Sequence, residues 1–386
     1  MGFSLRHKIT GLLAALVILS GPAVRTAKAQ ENISAIQFPY PFPMTLLSPA
    51  SDTVKICIIG DVMMHSKQIE DAAKDDNTYD FSSYFKHIAK EIQDADIAIA
   101  NMEFTLGGKP YSGYPCFSAP DALAGYLADC GFDIFLTANN HILDKGAAGL
   151  KRTLDIYRRL GTSHGILTTG CAESPEEMEA TSPLKIYCKG ISINVLNLTY
   201  GTNVGAGTTW PLVNRLSDKE SILEALERCS EDDLTLVMPH WGEEYVLKHS
   251  SDQEISARWL IDNGADLIIG AHPHVIQDTQ TIDGVHVAYS LGNAVSNMSA
   301  ANTQLGLMAT IKIVRHHNGR IELLAPQYKY LWCSRPGGFC GSYTVLPVSG
   351  FIGTRESWQG PWEYDKMMST YERVKSATGI EETKKQ

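Results

Sequence analysis

The chain has 386 residues and a formal net charge of −10. A surface this acidic repels phosphate backbones and anionic lipid, which argues against nucleic acid as a partner. The length exceeds that of a typical single domain, although large α/β domains do reach it.

The first element in chain order is a leader. Arg6 and Lys8 precede a short apolar run over 9–19, and Ala27-Lys28-Ala29 offers small residues two apart ahead of Gln30. That order predicts a secretory signal peptide over residues 1–29. The apolar run falls short of the roughly 20 residues that cross a bilayer; the alternative is an uncleaved anchor. Cleavage removes Arg6, Lys8, Arg25 and Lys28 and no acid, so the charge moves from −10 to −14. The expected product is exported, periplasmic or extracellular, with no stable membrane span. All eight cysteines remain after cleavage. Cys57 sits in an apolar strand and reads as a small hydrophobe. Cys333 and Cys340 flank a Gly- and Pro-containing loop and are expected to form a disulfide. No C-x-x-C spacing occurs, which excludes zinc-ribbon and thioredoxin readings.

Residues 30–52 are polar and proline-rich and read as a linker. Strands and helices then alternate. Strands are expected over 54–59, 97–100, 132–138, 191–198, 234–239, 266–270, 285–291 and 307–314. Helices are expected over 81–92, 120–130, 149–160, 217–229 and 253–263, with a terminal helix over 363–377. This alternation indicates α/β layering, with one domain over 53–350 and a C-terminal appendage over 351–386. Beyond residue 314 the pattern weakens.

Five polar clusters follow predicted strands, the edge where open α/β sheets bind ligands. They are Gly60-Asp61-Val62-Met63-Met64-His65, Asn101-Met102-Glu103, Thr137-Ala138-Asn139-Asn140-His141 with Asp144, Pro239-His240-Trp241-Gly242-Glu243-Glu244-Tyr245, and Gly270-Ala271-His272-Pro273-His274. Singly, the first two read as a capped turn and a solvated loop acid. Together the five clusters supply Asp, Glu, Asn and, His65 aside, four histidines, donors suited to Zn, Mn or Fe. Cysteine is absent from the set, which argues against a closed structural zinc site. A bridging carboxylate with imidazoles can hold two metals about 3.5–4 Å apart, activating water and clamping a phosphoryl oxygen. His141 followed by Asp144 suggests a proton donor oriented by a carboxylate.

The succession GDVMMH, NMEFTLGG, TANNHILDKG, MPHWGEEY, GADLIIGAHPHVIQ and YSLGNAV resembles the CapA-type, poly-γ-glutamate capsule-synthesis family over about residues 54–314. The resemblance implies a calcineurin-like metallophosphoesterase fold, a two-sheet sandwich flanked by helices. It also implies one or two divalent metal ions, with Asp61, Glu103, Asn140, His240, His272 and His274 as ligands, Glu103 bridging, and His141 with Asp144 catalytic. Hydrolytic phosphoesterases carry Asp-x-His in the first motif, whereas here Met63 stands two after Asp61 and His65 two further on. The expected function is support of capsule or surface-polymer assembly as a metal-dependent hydrolase of a phosphoester or related bond. The alternative is a non-catalytic polymer-binding or assembly factor that keeps the metal-site scaffold. A secreted nucleotidase is a third reading and lacks the Asp-x-His it would want.

Overall fold

The computed structural model describes residues 36–37, 53–205, 209–229 and 233–383. The signal peptide expected over 1–29 lies outside them. Of the expected linker, only Ile36–Gln37 is described; it forms a short strand, β1, antiparallel to Leu184–Cys188.

Two sheets face each other. In the first, Thr53–Val62 (β2), Ile97–Met102 (β3), Ile134–Leu136 (β4) and Leu167–Thr169 (β5) run parallel. Leu305–Arg315, Gln327–Ser334 and Thr344–Pro347 extend this sheet antiparallel on its far side. In the second sheet Ile191–Thr199, Leu234–His240, Leu267–Ile269 and Val285–Ala288 run parallel. Strands Leu184–Cys188 and Thr279–Ile282 pair antiparallel at either side of them.

The continuous apolar runs divide by the pleat. Val54, Ile56 and Ile58 point inward to a core shared with Ile193, Val195, Leu236, Met238 and Leu267 of the opposite sheet. Cys57 and Ile59, on the other face, join Tyr84, Phe85, Leu123 and Leu127 under the helical layer. On the outer face of the second sheet Leu196, Val237 and Ile268 pack on Ile222, Leu226, Ala257 and Leu260. Burial on both faces is why these strands read as unbroken β-branched stretches instead of alternating ones. The result is an α/β two-sheet sandwich flanked by helices. No helix of the described residues is long and apolar enough to cross a membrane.

Helices form at Asp121–Cys130, Gly146–His164, Lys219–Glu227, Ser251–Asp262 and Pro361–Thr378, close to expectation. Met367, Tyr371 and Val374 of the last helix join the inter-sheet core. Three expectations fail. The helix expected over 81–92 is regular only at Ala89–Gln93. Upstream, the Phe85 amide donates to the Tyr126 hydroxyl, and Tyr84 and Ile88 close three-residue turns onto Phe81 and Phe85. These turns bury the same apolar side chains a helix would have buried. The weak pattern beyond 314 conceals an eight-residue strand, Gln327–Ser334, paired on both sides, whose polar and aromatic residues alternate. The disulfide between Cys333 and Cys340 does not form, and none of the eight cysteines is in a disulfide. The Cys333 thiol is buried and donates to the Ser296 carbonyl, and the Cys340 thiol donates to the Ser342 carbonyl, so each is turned to a separate partner.

Candidate metal centre

The five clusters meet across the C-terminal ends of the two sheets. Asp61 closes β2, Glu103 follows β3, and Asn140 and His141 follow β4. His240 ends Leu234–His240 in the second sheet, and His272 and His274 follow Leu267–Ile269. The parallel pairing of those two strands runs on through a bridge between His240 and Ala271, which sets His240 beside the His-Pro-His turn. A Cβ at Gly60 would collide with the Gly292 carbonyl. The bare α-carbon lets the chain after Tyr289 cross the strand end, where the Asp61 amide donates to the Gly292 carbonyl at 3.0 Å.

Glu103 lies at the centre. Its Oε1 is 3.6 Å from His240 Nε2 and 3.7 Å from His274 Nε2. His240 Nε2 is 2.8 Å from Asn140 Oδ1, and the His240 and His272 rings are 4.8 Å apart. Asp61 Oδ2 accepts from the His272 amide at 3.2 Å and lies 3.6 Å from His274 Nδ1. His272 and His274 adopt φ of 100° and 58°, strained values for non-glycine residues that aim both rings into one cleft. All six expected ligands are therefore brought together. Five of them form two overlapping sets, Glu103–His240–His272 and Asp61–Glu103–His274, each with donor atoms within 4.8 Å of one another, and Asn140 joins the first through His240.

The electrostatics are those of a cation site. Asp61 and Glu103 are fully buried, and the ion pairs they make among the described residues are with histidines alone. Both Glu103 carboxylate oxygens and His272 Nδ1 are buried without a hydrogen-bond partner, an arrangement that is costly unless a ligand satisfies it. Burial first, and then the Asp61 and Glu244 carboxylates, push the Glu103 pKa well above its usual range. Burial and neighbouring histidines hold His240 far below its ordinary value and His272 down to about 3. Neutral imidazoles around a carboxylate that resists ionisation form a donor set completed by positive charge. A divalent metal fits these residues.

His141 and Asp144 stand beside this set. His141 Nδ1 is 2.7 Å from Asp144 Oδ2, which also accepts from the Phe117 amide at 2.7 Å. A carboxylate accepts, so the tautomer that satisfies this contact carries its proton on Nδ1 and leaves Nε2 as the acceptor. His65 is in none of the donor sets. Its Nδ1 accepts from the Asn297 amide at 3.2 Å and its ring meets Phe117 edge-on at 5.1 Å. Met63 is buried in the apolar layer under the helices.

Three contributors escaped the sequence analysis, although each lies within a quoted motif. Asn101 donates to Asp61 Oδ1 at 2.6 Å and is 3.2 Å from His240 Nδ1. Asn293, from YSLGN, lies with Oδ1 3.1 Å from His274 Nδ1 and donates to the His274 carbonyl, which turns His274 Nε2 toward Glu103. Glu244 forms a third donor set with His272 and His274.

Comparison with known proteins places this geometry. The Bacterial capsule synthesis protein PGA_cap family matches residues 55–298. The chain is 27% identical over 268 residues to the Capsule biosynthesis protein CapA of Bacillus anthracis, covering 66% of this chain and 62% of that protein. It is 25% identical over 280 residues to the PGA biosynthesis protein CapA of Bacillus subtilis (strain 168), covering 71% of each. The aligned part thus spans less than two thirds of the anthrax relative. Among solved structures, Haemophilus influenzae NAD nucleotidase overlaps with a TM-score of 0.44 at 13% identity, over 84% of this chain and 63% of that one. With more than half of its length matched, strand-end motifs included, the chain belongs to the bacterial capsule synthesis protein family.

Proposed function

We propose that this protein is an exported metal-dependent hydrolase that cleaves a phosphoester or related bond in support of capsule or surface-polymer assembly. The observation carrying this reading is the buried Glu103 carboxylate, unpartnered by any hydrogen bond and faced by His240 and His274. Glu103, Asn140, His240 and His272 would hold one divalent ion, Mn, Zn or Fe; Asp61, Glu103 and His274 would hold a second. Bound there, such ions polarise a phosphoryl oxygen and lower the pKa of a bound water. The chain supplies the remainder. Asp144 holds the Nδ1 proton and fixes the His141 ring, so that the imidazolium form would give its Nε2 proton to a leaving oxygen and return to the neutral Nδ1–H ring. Asn101 and Asn293 hold Asp61 and His274 in place. The exposed rings of Tyr200 and Tyr245 pack beside His272 and His274, where they would flank an entering substrate.

The test is a phosphoester substrate screen on the purified chain with Mn or Zn supplied, run beside Glu103→Gln. Turnover lost in the variant supports hydrolysis. Tight metal binding with no turnover on any phosphoester favours the non-catalytic polymer-binding or assembly role. Export is checked by mass spectrometry of the mature N-terminus; a chain starting at Met1 and retained at the membrane would make residues 1–29 an anchor.

A further inference from the structure

We infer that Glu244 is a ligand of the second divalent cation, the one Asp61, Glu103 and His274 would hold, and fills the coordination position that Met63 leaves open. The inference rests on the metal reading above. The set Asp61, Glu103 and His274 offers three protein donors, and a divalent ion takes four or more ligands, so at least one position is open to water or to a further side chain. Met63 supplies none: it is buried among apolar side chains, and a thioether is a poor donor to Mn or Zn. His65 is anchored on Asn297 and Phe117 at the start of the helix Ser66–Ala72.

Glu244 approaches from the solvent side instead. Its carboxylate lies within 4.8 Å of donor nitrogens of both His272 and His274. The placement is built. Gly242 and Tyr245 bend the loop at φ of 95° and 68°, and the Tyr245 amide donates to the Pro273 carbonyl at 2.9 Å, tying Glu244 to the His-Pro-His turn. The Glu103 oxygens of the Asp61–Glu103–His274 set are buried without a hydrogen-bond partner, as is Nδ1 of the His272 ring that borders it. No ion pair among the described residues joins Glu244 to a lysine or arginine, so an exposed carboxylate faces two imidazoles with no protein cation between them.

The test is Mn²⁺ titration of the full chain, followed by calorimetry and by the electron-spin coupling between two bound ions. The wild type is expected to bind one tight and one weaker ion, with a coupled signal. Glu244→Gln is expected to keep the tight ion, weaken the second by about tenfold or more and lose the coupling, since even indirect partners of a metal ligand are worth that much. Glu244→Asp should fall between them, and both variants should unfold at the wild-type temperature without metal. A Glu244→Gln variant that binds two coupled ions like the wild type overturns the assignment and leaves the metal reading standing. Equal loss of both ions in that variant, with its fold intact, also overturns it. A wild type that binds no Mn²⁺ overturns the metal reading itself.

Discussion

Glu103 Oε1 stands 3.6 Å from His240 Nε2, joining a loop beside one sheet to the end of a strand in the other. Neither group is exposed, so the pair is a local instability until a cation satisfies it. At a Mn²⁺ concentration of 100 times its Kd, stability should rise by about 2.7 kcal/mol. Glu103→Gln should abolish that rise. Without metal the same variant should be at least as stable as the wild type, because it removes a buried carboxylate that resists ionisation. Urea denaturation with and without Mn²⁺ checks both signs; a metal-free variant much weaker than the wild type would mean Glu103 is structural.

Asp144→Asn keeps the shape of the side chain and removes the charge that holds the proton on His141 Nδ1. Turnover of a phosphoester substrate is expected to drop by about 10²–10⁴-fold, with metal content unchanged. Nitrogen NMR of His141 supplies a reading independent of activity. A tautomer identical in both proteins would show that Asp144 does not orient the ring.

His65→Ala should leave both metal affinities where they are, because the ring is held by Asn297 and Phe117 outside the donor sets. Metal analysis decides this. Loss of the weaker ion in the variant would show that His65 moves in to replace the missing histidine, and that Met63 leaves no gap.

Burial holds the half-buried His65 down to about 4, against its ordinary 6.5. The unfolded chain therefore takes up a proton that the folded one refuses between those values. Stability is fully present above pH 6.5 and is lost as pH falls toward 4. Between pH 7 and 5, in chelator, His65 should account for about 2 kcal/mol of lost stability at most. His65→Gln should shrink the fall by a similar amount in urea denaturation at the two pH values. An unchanged difference would mean the ring already protonates freely in the folded protein.

Much of the centre is legible in the sequence because its donors sit directly after strands, and strand ends are local features. Apolar runs such as 54–59 and 234–239 mark strands, and whatever follows them lies at one edge of a parallel sheet. That is enough to select Asp61, Glu103, Asn140, His141, Asp144, His240, His272 and His274 from one chain. The helix expected over 81–92 shows the limit of the method, since periodic burial of Phe81, Phe85 and Ile88 is equally served by turns once Tyr126 binds the Phe85 amide. Gln327–Ser334 shows another: an alternating strand carries a weaker signal than a continuous one. The free thiols of Cys333 and Cys340 were beyond reach because loop composition says nothing of where each sulfur points.

Tertiary structure alone decides which clusters meet and what each side chain does there. His272 donates its amide to a carboxylate 211 residues earlier in the chain. His240 is placed by the pairing of its strand with Ile191–Thr199 and Leu267–Ile269. Such contacts are set by how the two sheets pack over one apolar core, a property of the whole chain that no motif contains. The same packing leaves His65 out of the donor sets and brings Asn293 and Glu244 in, although all three lie in motifs the sequence displays. Local sequence determines which donors are available; the closure of the sandwich decides which of them share a cation.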